Sequence, residues 1–117
     1  MRVNISKVMK MIQYEDPENI SGLTLPITAE QLDSVEEIHF VPILQRTDDY
    51  DLRRVKYFVN HPEEINNLEL EFDDVVLVVN DGNHRLMAAL YLGMTSIDAE
   101  LYGCVDYAYL IEENTNA

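Results

Sequence analysis

The chain predicts an α+β domain, a small mixed sheet with flanking helices, and three observations carry that reading. The first is an apolar run with four valines, Val75 to Val79, which reads as a buried strand because β-branched residues suit a pleated surface. Asn80-Asp81-Gly82 breaks that run, and a helical pattern follows at once through Leu86, Ala89 and Leu90, with Gly93 placed as a left-handed C-terminal cap. The second is strict alternation of apolar and acidic residues at Leu68, Leu70 and Phe72, and again at Ile97, Ala99 and Leu101. The third is apolar spacing near 3.6 residues at Ile5, Val8, Met9 and Ile12 and at Leu52, Val55 and Val59.

Taken in order, residues 3–13 predict a short helix, with an extended start through Val3-Asn4-Ile5 as the alternative. Asp16-Pro17 to Ser21-Gly22 is turn chemistry. Thr28 and Gln31 have the spacing of a capping box, opening a helix to about Val35 that buries Leu32 and Val35. Ile38 to Leu44 reads as a strand, placed at an edge or bulge by Pro42, which cannot donate to a ladder. Asp51 is the expected N-cap of the next helix, with Arg53, Arg54 and Lys56 off its apolar face. His61-Pro62 stops that helix, and Pro62-Glu63-Glu64-Ile65 starts a further short turn. Asp73-Asp74 predicts a tight hairpin into the central strand. Val105 to Ile111 reads as a last strand or a short covering helix, and the tail from Glu112 as frayed.

At 117 residues the chain is one domain, large enough for a core without disulfides or metal. Its 47% apolar fraction is that of a folded protein. No stretch approaches the roughly 20 apolar residues of a membrane helix, and the N-terminus lacks a signal-peptide core. A single cysteine, Cys104, allows no internal disulfide and no cysteine-rich metal site. Cytoplasmic residence without a membrane is therefore expected, and the sequons at Asn4 and Asn19 read as chance matches. Twenty-two acids against eight Lys or Arg give a net charge of −14, which repels a DNA backbone and disfavours direct DNA binding. That acidity is a solvated face, or else a surface that occupies a basic site on a nucleic-acid-binding protein.

The pattern strand–D-G-N-H-R–helix–L-G–M-T-S-I-D-A–strand resembles the ParB/sulfiredoxin superfamily. Its strand, G-x-x-R turn, alanine-rich helix, Leu-Gly end and following strand near an Ile match Gly82, Arg85, Ala88-Ala89, Leu92-Gly93 and Ile97. The resemblance covers roughly residues 36–102. It implies a ParB/sulfiredoxin-like core over 36–102, an N-terminal helical extension over 1–35 and a C-terminal segment over 103–117. The superfamily binds nucleotide phosphates at this turn. Sulfiredoxins carry a catalytic cysteine before the His-Arg pair; Asn83 stands there, and an amide cannot replace a thiolate, so sulfinic acid reduction is excluded. Partitioning ParB proteins follow the turn with a second phosphate motif and a helix-turn-helix domain, neither of which is expected after Tyr102. The D-G-x-H-R form is most similar to that of small free-serine kinases.

By chemistry and resemblance together, Gly82, Asn83, His84 and Arg85 are the candidate phosphate-binding residues, because a helix N-terminus favours anions and a guanidinium fork suits phosphate. Arg46, just past the first expected strand, is added from the resemblance. Asp81 and His84 are the candidate catalytic residues, with helix capping the competing role of Asp81. A base for phosphoryl transfer maps to no single acid; Glu30, Asp48 and Asp49 are the geometric candidates. Arg53 and Arg54 read as an ordinary solvated face, His39 and His61 as structural, and no metal-ligand pattern stands out. The expected ligand is a nucleotide (ATP, ADP or CTP), with Mg2+ as companion, or a phosphorylated small molecule, and the expected chemistry is phosphoryl transfer or phosphate-ester hydrolysis. The alternative is a non-catalytic acidic protein, of phage or mobile-element origin, that binds and inhibits a nucleic-acid-handling protein.

Overall fold

The computed structural model describes residues 1–12, 19–20 and 23–113. Six strands and four α-helices follow in the order β1 (Arg2–Asn4), α1 (Ile5–Met11), β2 (Asn19–Ile20), β3 (Leu23–Thr24), α2 (Ala29–Asp33), α3 (Tyr50–Asn60), β4 (Leu68–Asp73), β5 (Val76–Asp81), α4 (Asn83–Tyr91) and β6 (Ser96–Gly103). Short 3-10 turns lie at Ile43–Gln45, Pro62–Glu64 and Val105–Leu110. The main sheet has four strands in the order β1-β6-β4-β5, and β2 and β3 form a separate two-stranded ribbon. Within the main sheet β4 and β5 form the expected antiparallel hairpin, β6 runs parallel to β4, and β1 lies antiparallel to β6. The fold class is therefore α+β with a small mixed sheet.

The alternation in β4 and β6 works as the side-chain period requires. Leu68, Leu70, Phe72, Ile97 and Ala99 are buried, and they meet Val55, Phe58, Leu86, Met87, Ala88 and Ala89 from the helices in one apolar cluster. Burying each large side chain contributes about 1.5–3 kcal/mol, so this layer dominates the stability. Helix α4 packs on α3 and reaches β4, which fixes its axis. It ends as expected. Gly93 adopts φ +72, its N–H donates to Leu90 O, and Met94 N–H donates to Ala89 O, the paired bonds of a left-handed cap. At α2 the capping box is present in both directions between Thr28 and Gln31, and Leu32 is buried while Val35 is only partly so.

Several expectations are corrected. The run beginning at Val75 is not a buried central strand: β5 lies at the sheet edge, Val75 is 54% exposed, and only Leu77 within it is buried. Asn80 and Asp81 still belong to β5, so the break falls at Gly82 alone. Residues 38–44 form no strand. Ile38 N–H donates to Arg53 O and the Arg46 guanidinium donates to Val41 O, so these groups close a loop and leave Phe40, Ile43 and Leu44 exposed. Helix α3 starts one residue before Asp51, with Asp49 at the cap position and no side-chain capping bond. The expected last element is the 3-10 turn Val105–Leu110, and Glu112 and Glu113 are not frayed: they bond alongside β1. The turn expected over Asp16–Gly22 and the tail after Glu113 lie outside or largely outside the described residues. Among the described residues no helix is long and apolar enough to cross a membrane.

Candidate functional site

The chain passes from β5 to α4 through one residue. Gly82 adopts φ +111 and ψ 18, a conformation open to glycine, and a Cβ there would stand 2.6 Å from Leu68 Cδ2. This sharp entry points the first turn of α4 at the end of the β4–β5 hairpin. Backbone N–H groups at the start of a helix have no acceptor within it, and they carry the positive end of its dipole. Leu86 N–H donates to Gly82 O, so the helical ladder begins only after His84 and Arg85.

Around this turn lies a cavity of about 130 Å³ lined by Arg54, Phe58, Asn80, Asp81, Gly82, Asn83, His84 and Arg85. Arg54 and Phe58 come from α3, on the same helical face as Asp51. The guanidinium carbons of Arg54 and Arg85 sit 4.7 Å and 5.1 Å from the Phe58 ring centre, so one aromatic ring supports both cations. Arg85 also pairs with Asp81 at 3.8 Å, a loose contact with a carboxylate that is 67% exposed. Arg54 Nη1 and Arg85 Nε are buried with no hydrogen-bond partner among the described residues. Arg46 lies outside the cavity lining, its guanidinium 4.3 Å from the Tyr50 ring centre and 5.6 Å from that of Phe40.

Burial, with repulsion from Arg85 and Arg46, pushes the Arg54 guanidinium below its ordinary pKa. His84 Nε2–H donates to Asp51 Oδ1 at 2.7 Å, and the Tyr50 ring meets the imidazole edge-on at 6.1 Å. Burial holds the His84 imidazole below its ordinary pKa, against the opposing pull of Asp51. The site thus combines two crowded arginines, an aimed imidazole and a helix N-terminus in a chain of net charge −14.

Of the residues the sequence singled out, Asp81, Gly82, Asn83, His84 and Arg85 stand together at the cavity, while Arg46 acts on it only through its charge. Asp81 makes no capping bond to α4. Glu30, Asp48 and Asp49 do not line the cavity, and Asp49 accepts a hydrogen bond from the Thr47 hydroxyl instead. Arg54 is not on an ordinary solvated face, and Asp51 is not a cap. The spacing of Asp51, Arg54 and Phe58 at i, i+3 and i+7 was the available signal, but its meaning depends on where α4 packs.

A second cluster lies at the other end of α3. His61, Glu63 and Glu64 offer ligand atoms within 4.8 Å of one another. His61 Nε2 contacts Glu37 at 2.8 Å and its ring stacks on Tyr57 at 4.3 Å, so this half-buried imidazole is held by acids and an aromatic face. Comparison with models of protein families, with curated proteins and with solved structures found no match to this chain.

Proposed function

We propose that the chain is a small ParB/sulfiredoxin-like domain that binds a nucleotide or another phosphorylated compound at residues 81–85, in the cytoplasm. The observation that carries this is that two arginines, Arg54 and Arg85, line one cavity with the α4 N-terminus in a chain of net charge −14. Burial and the nearby Arg85 charge both disfavour the Arg54 cation, and an anion in the cavity offsets that repulsion. Phosphate fits, because it presents several acceptor oxygens to a guanidinium fork and to helix N–H groups. Among the cavity residues Asp81 supplies the exposed carboxylate, and one carboxylate with phosphate oxygens is a donor set that Mg2+ accepts.

Calorimetry and thermal shift with ATP, ADP, CTP and GTP, with and without magnesium, test this. Saturable binding abolished by Arg85→Ala is expected; no heat and no shift with any of them would sink the reading.

The second reading is a protein partner held through an acidic face, of phage or mobile-element origin. It is favoured by Glu69 and Glu100, which stand in register on neighbouring strands with no ion pair to either among the described residues, although Glu100 accepts a hydrogen bond from the Tyr102 hydroxyl. Like charges so placed are unfavourable unless a basic surface covers them. Charge reversal at Glu69 and Glu100 should then abolish capture of a nucleic-acid-handling partner while nucleotide binding persists.

A further inference from the structure

We propose that Asp51 and His84 form a general-base dyad that hydrolyses a phosphate ester or anhydride seated between Arg54 and Arg85; this rests on the phosphate-binding reading of the same cavity. Asp51 stands on α3 and His84 on α4, separated by 33 positions in the chain, yet their polar atoms lie 2.7 Å apart. A carboxylate accepts only, so the shared proton belongs to Nε2 and the tautomer is set. Nδ1 is then the ring nitrogen that can take a proton. His84 lines the same cavity as both arginines, while Asp51, which engages Nε2, is outside the lining, so the proposal places Nδ1 on the cavity side.

The charged and titratable groups facing His84 are Asp51 and Arg54 from α3, Tyr50 at the start of α3, and Arg46 from the loop before it. Burial, with a smaller push from the two arginines, favours the neutral ring and Asp51 favours the imidazolium, which is the balance a base requires: neutral before the step and stabilised after it. In the step, a water oxygen forms a bond to phosphorus as the bond from phosphorus to the leaving oxygen breaks. The water proton passes to His84 Nδ1, and Asp51 steadies the imidazolium. The leaving oxygen keeps the electron pair of the broken bond and takes a proton from solvent. Arg54 and Arg85 hold the charge on the remaining phosphoryl oxygens. Asp51 is a positioning residue in this scheme and His84 the catalytic one.

The test uses the full chain with p-nitrophenyl phosphate and with ATP and CTP as probes, reading phosphate release and, separately, binding of inorganic phosphate. Turnover by the parent chain is expected, with His84→Gln lowering kcat about 100-fold, far more than it raises KM. Asp51→Asn should lower kcat and move the acid limb of the pH profile to lower pH, because Asp51 raises the His84 pKa. A dyad that serves only to tie α3 to α4 would lower Tm in Asp51→Asn without moving that limb. Should Asp51→Asn fail to fold, His84→Ala with added imidazole replaces it: restored turnover supports the dyad. Phosphate binding without turnover, or full kcat in His84→Gln, overturns the dyad and leaves the binding reading standing. Absence of binding as well overturns both.

Discussion

Arg54 shows most clearly how this chain treats its few cations. A half-buried guanidinium beside Arg85, with Arg46 within range of its charge, is an expense of folding that the apolar core has to offset. Removing it should therefore affect stability and binding in opposite directions. Arg54→Met is expected to hold or raise Tm in the absence of phosphate while weakening phosphate binding about tenfold. Differential scanning calorimetry and phosphate titration of the same preparation check this, and a large loss of Tm would show that Arg54 is a structural support. Arg85 and the Gly82 turn were legible in the sequence, since a strand followed by Gly and then Asn-His-Arg has few readings other than an anion-ready helix start. Arg54 was not legible. Its neighbours Arg53 and Lys56 donate to Glu36 O and Val35 O, and nothing in the local pattern separates it from them.

Among the elements, α3 does the most, because its two ends meet different partners. Its N-terminal half brings Asp51 and Arg54 to α4, and its C-terminal end places His61 against Glu37. The hydrogen bond from His61 to Glu37 raises the imidazole pKa, and bonds from Asn60 and His61 lower that of Glu37. A raised folded-state pKa contributes stability below the unfolded value and loses it as pH rises through the folded value. Glu37→Gln should therefore lower Tm most near about pH 6, with the gap to the parent closing by about pH 9. A gap that widens with pH would exclude the pair as its cause. The alternating strands β4 and β6, the α2 capping box and the Gly93 cap were all visible as patterns, because each depends on neighbours a few residues away. The strand expected over 38–44 failed for the same reason: its apolar residues match a strand locally, but the segment is tied to α3 by Ile38 N–H donating to Arg53 O and Arg53 Nε donating to Glu36 O, contacts that local spacing does not reveal.

Over the whole molecule the dominant quantity is the charge of −14. Self-repulsion of this size opposes the compact state and is screened by salt. Raising ionic strength from about 10 mM to about 300 mM should raise Tm by several degrees, since about 1 kcal/mol corresponds to roughly 4 °C for a domain of this size. Phosphate affinity at the arginine cavity should fall over the same range. A Tm that falls with salt would mean that attractive pairs such as Arg2–Asp98 outweigh the repulsion. By itself the sequence determined the α+β class, the hairpin, the strand–turn–helix at Val76–Tyr91 and the acidic surface, because periodicity, turn residues and composition act locally or by simple summation. Only the tertiary structure decided that the valine-rich strand lies at an edge, that residues 2–4 join the sheet, that Arg54 stands at the same cavity as His84 and Arg85, and that Asp51 meets His84. The reason is physical: which carboxylate meets which imidazole depends on how α3 crosses α4, and that crossing is set by Phe58, Leu86 and the apolar layer beneath them, not by spacing along the chain.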